Sequence, residues 1–371
     1  MTFQLIESSQ DLVPLIQKMA QHRFYCLDTE FIRVKTRYPC LGLLQLNLQD
    51  TVYLIDPLKV KLDDFWQHIF QAEQLVLHSC SEDVILMFNE AQRKDLKHIF
   101  DTQVGLSFLG YGSHMGYQAA LEERLNTTIY KYESRSNWLA RPLTQEQLDY
   151  AANDVIYLPE LAKDVRHALE QKGLFAVVLE DCQHMVNDLA KEPPLELLYL
   201  DHARHTHSPR QLAQLKQLTI WREELSIKNN LPLPFILKNK EMLDLVAEQP
   251  KNLQTLSYVL DKGSRALKYS HTLLKLLHNL PDKQYYPPRL HAPAKIECST
   301  LQQQVQQYIE RTAAQLDISQ DILMRKKWLT AIIQCVQQSG DEQDLPDFLL
   351  GWRYDIITQP LLKLMYNSKS C

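Results

Sequence analysis

Asp28 and Glu30 stand two residues apart at the end of the run Phe24-Tyr-Cys-Leu-Asp28, which is short, apolar and aromatic and reads as a β-strand. Alternate side chains on a strand point to one face, so the two carboxylates are neighbours in space. Paired carboxylates repel, and a divalent cation with a preference for oxygen ligands relieves that repulsion. Alone, an Asp-x-Glu at a strand end is as a rule a solvated turn. A second acidic site follows the strand Leu75–His78, where Ser81-Glu82-Asp83 opens a helix. Ser caps a helix and acids suit its first turn, so this too has an ordinary reading. Periodicity leaves open which of Glu82 and Asp83 faces inward. The third site is Tyr150 and Asp154, four apart on one helical face, beside Ala151 and Ala152, which permit close packing. In isolation that pair reads as a surface hydrogen bond.

The elements around these residues alternate. Gly42 to Asn47 and Val52 to Ile55 read as further strands, and Ser9–Ala20, Leu62–Phe70 and Ser81–Asn89 read as helices. Thr144 to Lys163 reads as one helix, with Thr144 and Gln147 in capping-box spacing at its start. Alternation of this kind predicts an α/β domain with a mixed sheet, ending near Lys191 before Pro193-Pro194. From Pro209 the strand signal stops. Two helical blocks follow, joined by the proline-rich stretch PDKQYYPPRLHAP. The expected domains are therefore 1–192, 205–283 and 294–371. The two blocks repeat each other: FILKNKEML from Phe235 resembles DILMRKKWL from Asp321, and Gly263-Ser264-Arg265 matches Gly351-Trp352-Arg353. Ten residues after each of these glycines comes a near-identical stretch, Leu273–Leu277 and Leu361–Met365. A shared order with a shared spacing marks a duplicated domain.

Composition sets the outer limits. At 371 residues the chain is too long for one core at ~100–200 residues per domain. Apolar residues at 45% and charged residues at 23% are ordinary for a globular protein, and no apolar run approaches the roughly 20 residues that span a bilayer. The N-terminus lacks the basic start and apolar block of a secretory signal. Seven scattered cysteines without a Cys-x-x-Cys point to reduced thiols in a cytoplasm, not to a disulfide framework or a zinc site. His202, His205 and His207 cluster on one loop without a fourth ligand at suitable spacing, and read as a solvated linker. Net charge is −5, but it is unevenly spread. His205 to Tyr285 carries twelve Lys/Arg against seven Asp/Glu, an excess of five, which leaves the rest at −10. An acidic part beside a basic part suits a metal-dependent nuclease.

The order of the acids, Asp-x-Glu on a first strand, an acid after a later strand, then Tyr-x-x-x-Asp on a late helix, resembles the tyrosine branch of the DEDD exonucleases. The resemblance extends to ribonuclease D. Cys26-Leu-Asp-Thr-Glu-Phe31, Tyr38-Pro39 and Leu44-Gln-Leu46 resemble its first motif, and His78-Ser-Cys-Ser-Glu-Asp83 its second. Phe100-Asp-Thr-Gln103, Leu109-Gly-Tyr-Gly112, Glu133-Ser-Arg-Ser136 with Trp138, Arg141-Pro142-Leu143 and Tyr150-Ala-Ala-Asn-Asp154 complete it. The helical blocks are similar to the paired HRDC domains of that family, the second being the more divergent. The resemblance covers nearly the whole chain. It implies a ribonuclease H-like mixed sheet with flanking helices, followed by two all-α HRDC-type domains.

It also implies a chemistry: 3′→5′ removal of nucleotides from RNA ends as nucleoside 5′-monophosphates. Asp28, Glu30, Asp83 and Asp154 would hold two divalent cations, Mg²⁺ or Mn²⁺, since Zn²⁺ prefers His or Cys. Two ions serve the attacking water, the in-line geometry and the leaving oxygen. Tyr150, with an ordinary pKa near ~10, is too weak a base at neutral pH and is assigned to orienting the water. Glu30 is expected to accept a hydrogen bond from the terminal 3′-hydroxyl. Arg135 and Trp138 are candidates for a phosphate and a base, or for packing a loop onto the late helix. Lys262, Arg265 and Lys268 around Gly263 are candidates for phosphate contacts, or a solvated helix face. The family points to precursor tRNA as partner, a monomer without an obligatory protein partner, and no membrane. A DNA-directed exonuclease and a non-catalytic RNA-binding adaptor are the rivals, and the intact set of acids with Tyr150 speaks against the adaptor.

Overall fold

A computed structural model describes residues 3–129, 136–338 and 340–368. Six strands, β1 (Phe3–Ile6), β2 (Phe24–Ile32), β3 (Cys40–Leu48), β4 (Thr51–Ile55), β5 (Gln74–Leu77) and β6 (Ile99–Asp101), form one sheet in the order β1-β4-β3-β2-β5-β6. β1 runs parallel to β4, β3 antiparallel to β4, and β5 parallel to both β2 and β6, so the sheet is mixed as expected. The outer strands β1 and β6 are only four and three residues long and carry too little pattern to be read from sequence. In the central β3, Leu41 to Leu48 are buried without alternation, because both faces are covered.

Helices α1 (Ser9–Met19), α2 (Asp63–Phe70), α3 (Ser81–Ala91), α4 (Thr102–Phe108) and α5 (Tyr117–Leu125) fill the connections. The helix expected over Thr144 to Lys163 is two helices, α6 (Gln145–Ile156) and α7 (Leu158–Gln171), meeting at Tyr157. Pro159 lies in the first turn of α7, where its missing N–H is harmless; inside one continuous helix it would have cost a hydrogen bond. The capping box is present: Thr144 Oγ1 accepts from Gln147 N at 3.2 Å, and Gln147 Oε1 from Thr144 N at 3.0 Å. α6 is seated on the sheet by Asn47, whose Nδ2 donates to the Val155 carbonyl at 3.0 Å. α8 (Phe175–Ala190) completes this part.

The remaining helices form the two repeated blocks. The first contains α9 (Pro209–Asn229), α10 (Leu233–Ile236), α11 (Asn239–Glu248), α12 (Leu253–Val259) and α13 (Ser270–His278) around a core that includes Leu215, Leu245, Leu256 and Leu273. The second contains α14 (Ser299–Leu316), α15 (Gln320–Leu323), α16 (Lys326–Gln338), α17 (Asp347–Leu350) and α18 (Gln359–Ser368) in the same order. The chain divides into two compact units, and they do not follow the sequence boundaries. The second block shares one unit, and one apolar core, with the α/β part. The first block, Glu192–Pro293, forms the other unit together with Arg33–Cys40, the connection between β2 and β3. Within that unit Arg37 donates to Ser226 Oγ at 2.8 Å and pairs with Glu223 at 2.8 Å.

The second block is joined to α8 by a buried ion pair. Arg353 is 1% exposed, and its two terminal nitrogens reach the two oxygens of Asp181 at 2.5 and 2.7 Å. Trp352 adds its indole N–H to Asp181 at 2.8 Å and its backbone N–H to Glu180 at 2.7 Å. Gly351 lets the Glu180 carboxylate come close: a Cβ would lie 1.6 Å from its oxygen and would displace that side chain. Among the described residues no helix is long and apolar enough to cross a membrane.

Candidate active site

β2 presents Asp28 and Glu30, both half-buried, on either side of the buried Thr29. α6 brings Asp154 to them, and one carboxylate oxygen from each of the three lies within 4.8 Å of the others. Among the described residues this trio is the group of His, Cys and acidic side chains whose ligand atoms converge. Asp83, in the first turn of α3, is the buried member of the Glu82-Asp83 pair, and Glu82 is exposed, which resolves the choice that periodicity left open. Burial pushes the Asp83 carboxyl up to about 6, against the opposing hydrogen bond donated by Thr29 Oγ1. Burial, and then the charges of Asp83, Asp154 and Glu30, hold Asp28 well above the usual carboxylate range. The four acids thus share one field. Tyr150 is 7% exposed and its hydroxyl is raised above its ordinary pKa by burial, by Asp154, Glu30 and Asp28, and by its hydrogen bond with Asp154.

The positions of these groups are enforced by residues that the sequence did not single out for a role. Asp101, at the end of β6, accepts from the backbone N–H groups of Ser79 and Cys80 at 2.9 Å each and of Gln103 at 2.8 Å. This carboxylate fixes the turn in which Ser79 takes a left-handed φ of 62° and which launches α3 with Asp83. Thr29 was missed because its neighbours are the obvious acids; only the fold sets its hydroxyl against Asp83. Arg141 forms a bidentate pair with Asp56 at 2.6 and 2.7 Å and donates to the carbonyls of Trp138 and Gly42 at 2.9 and 2.7 Å. That clamp seats Trp138 over Gly42, where a Cβ would lie 2.6 Å from the Trp138 Cβ.

Trp138 does not offer a face to a base. It is 2% exposed and packs against Tyr150, with ring centroids 5.9 Å apart, so of its two readings the structure supports packing. Its burial follows from the close approach that Gly42 permits. Arg135 lies outside the described residues. Lys262, Arg265 and Lys268 are exposed on the first helical block, Arg265 over the Phe235 ring at 3.7 Å and Lys268 over Tyr269 at 4.6 Å. A cavity of about 260 Å³ adjoins the acids, lined among others by Asp28, His78, Gln103, Tyr117, Tyr150 and Asp154.

A mixed sheet carrying a convergent acidic cluster is the frame of a 3′–5′ exonuclease domain, and the class is borne out by comparison. Residues 3–170 match the family model of the 3′-5′ exonuclease domain, and residues 211–277 that of the HRDC domain. The chain is 32% identical over 374 residues to ribonuclease D of Pseudomonas paraeruginosa, covering 98% of each, and 27% identical over 371 residues to ribonuclease D of Escherichia coli K12, covering 98% of this chain and 99% of that one. The crystal structure of E. coli RNase D, an exoribonuclease involved in structured RNA processing, superimposes with a TM-score of 0.90 at 26% identity over 99% of both chains. The chain belongs to the ribonuclease D family of 3′–5′ exoribonucleases.

Proposed function

We propose that this chain hydrolyses RNA from the 3′ end to nucleoside 5′-monophosphates at Asp28, Glu30, Asp83 and Asp154, with two Mg²⁺ or Mn²⁺ ions as cofactors. The observation that carries this reading is the convergence of Asp28, Glu30 and Asp154 beside the buried Asp83, four acids whose mutual repulsion a cation relieves. The donor set is all oxygen, which suits a hard cation and not zinc. Bound there, divalent cations supply a Lewis acid for the phosphate and lower the pKa of a water.

The protein's own groups do the rest. Tyr150, held by Trp138 and hydrogen-bonded to Asp154, keeps its proton at neutral pH and orients the attacking water. Glu30 accepts a hydrogen bond from the terminal 3′-hydroxyl, which favours chain ends. Lys262, Arg265 and Lys268 hold phosphates along the RNA, and Arg135 is assigned the same role from its sequence. Precursor tRNA is the proposed substrate, in line with the structured-RNA role of the E. coli relative. The proposal includes a cytoplasmic monomer; the six cysteines described are all free thiols. It keeps three modules, 1–192, 205–283 and 294–371, of which the first and third share one compact unit.

Incubation of the purified chain with 5′-end-labelled RNA and DNA, in Mg²⁺, Mn²⁺ or EDTA, tests it. Stepwise shortening of RNA with release of 5′-monophosphates, abolished by EDTA, is expected. Equal action on DNA would move the reading to a nuclease without sugar choice, and no shortening under any condition would leave an RNA-binding adaptor.

A further inference from the structure

A second tyrosine beside the acids has no part in the chemistry above. Tyr117 opens α5, is 6% exposed, and lines the same cavity as Asp28, Tyr150 and Asp154. Its hydroxyl is buried; the backbone N–H of Tyr157 faces its oxygen, and its proton has no acceptor among the described residues. Folded proteins rarely leave a buried hydroxyl unpaired, because it has lost its water and gained nothing in return. The placement is also built, not incidental. His78 Nε2 and Gln103 Nε2 both meet the Met115 carbonyl at 3.0 Å, which fixes the chain as it enters α5 through Gly116. His78 Nδ1 meets Thr102 Oγ1 at 2.8 Å. The imidazole then packs edge-on against Tyr117, with centroids 5.4 Å apart and planes at 60°.

Burial acts most on this hydroxyl, followed by the charges of Asp154, Asp28 and Cys26, against the opposing contact from the Tyr157 N–H. The net effect holds it above the ordinary phenol value, so it keeps its proton and serves as a donor. The other acids of the cluster already show the pattern: Asp83 receives Thr29 and Asp154 receives Tyr150. We propose that Tyr117 is a positioning residue for the Asp28–Asp154 pair, its hydroxyl donating to their carboxylate oxygens when they hold a divalent cation. This rests on the reading of those acids as cation ligands. A ligating carboxylate needs a fixed orientation, and hydrogen-bond donors behind the ligands supply it.

The test uses the full chain, freed of metal, and Mn²⁺ alone as probe. Calorimetric titration without RNA should show Mn²⁺ binding weakened roughly 10–100-fold in Tyr117→Phe. The metal-free melting temperature should change little, since the lost hydroxyl proton had no acceptor and only the Tyr157 N–H contact goes with it. At saturating Mn²⁺ the variant's kcat on a short RNA should return to near the wild-type value. Unchanged Mn²⁺ affinity would overturn the proposal, as would a kcat that stays low at saturating Mn²⁺. A wild-type chain that takes up no Mn²⁺ would instead sink the metal site itself, and this inference with it.

Discussion

The two helical blocks carry the same Gly-x-Arg signature and put it to opposite uses. In the first block Arg265 is exposed, its guanidinium lying over the Phe235 ring. In the second, Arg353 is buried and spends its planar fork on both oxygens of Asp181. An arginine with its donors committed in a core cannot meet a phosphate, whereas one on the surface can. One block therefore shares the core of the α/β part, and the other forms a second compact unit together with Arg33–Cys40. A repeat read in sequence establishes common structure, not common function. The cut after Pro193 that composition suggests would remove Arg353 and leave the Asp181 charge buried without its partner.

Several substitutions sharpen or break this contrast. The largest effect belongs to chemistry, which the account confines to the unit holding the acids. Tyr150→Phe should lower kcat roughly 10²–10⁴-fold with little change in RNA affinity. A rise in KM at constant kcat would make Tyr150 a binding residue instead. Arg353→Ala leaves an unpaired buried carboxylate and should destabilise that unit by about 3–5 kcal/mol in urea denaturation. Arg265→Ala should stay within roughly ±0.5 kcal/mol. Equal losses at the two arginines would erase the difference between the blocks.

A smaller effect is expected from the charges of the first block. Changing Lys262, Arg265 and Lys268 together to Ala should weaken binding of a tRNA-like RNA and flatten its salt dependence, by a slope of roughly two for three phosphate contacts. Titrations at several salt concentrations read this directly, and an unchanged slope would assign the block to something other than RNA. The smallest effect is a pH dependence. Asp83 rises to about 6, and Asp28 rises as well, from an unfolded value near ~4. Protonation of a raised carboxyl favours the fold below its unfolded pKa, and that contribution is lost as pH climbs through the folded value. The metal-free cluster is thus most strained above about pH 6, where a cation has most to relieve. Mn²⁺ should raise the melting temperature more at about pH 7.5 than at about pH 5, and the reverse order would contradict the assigned field.

Much of the site was legible because its signals are local. The two-residue spacing of Asp28 and Glu30, the four-residue spacing of Tyr150 and Asp154, and the Thr144 capping box are all set within one element. The parts that were not legible depend on contacts between distant segments. Asp101 acts on a turn 21 and 22 residues upstream. Thr29 acts on Asp83 across 54 residues, and Asp181 on Arg353 across 172. Trp138 looked available to a base because its burial depends on Gly42, on a strand nearly a hundred residues earlier. The grouping of Arg33–Cys40 with the first helical block has the same origin, since Arg37 meets Ser226 across 189 residues.

The central claim is that the clustered acids carry the hydrolysis, and Asp154→Asn tests it most directly. The amide keeps the shape of the side chain and removes the charge. Single-turnover and steady-state rates on a short labelled RNA, taken with a circular-dichroism check of the fold, should show kcat down by several orders of magnitude in a folded protein. A folded variant within about tenfold of wild type, a loss of only ~1.4 kcal/mol, would contradict the account.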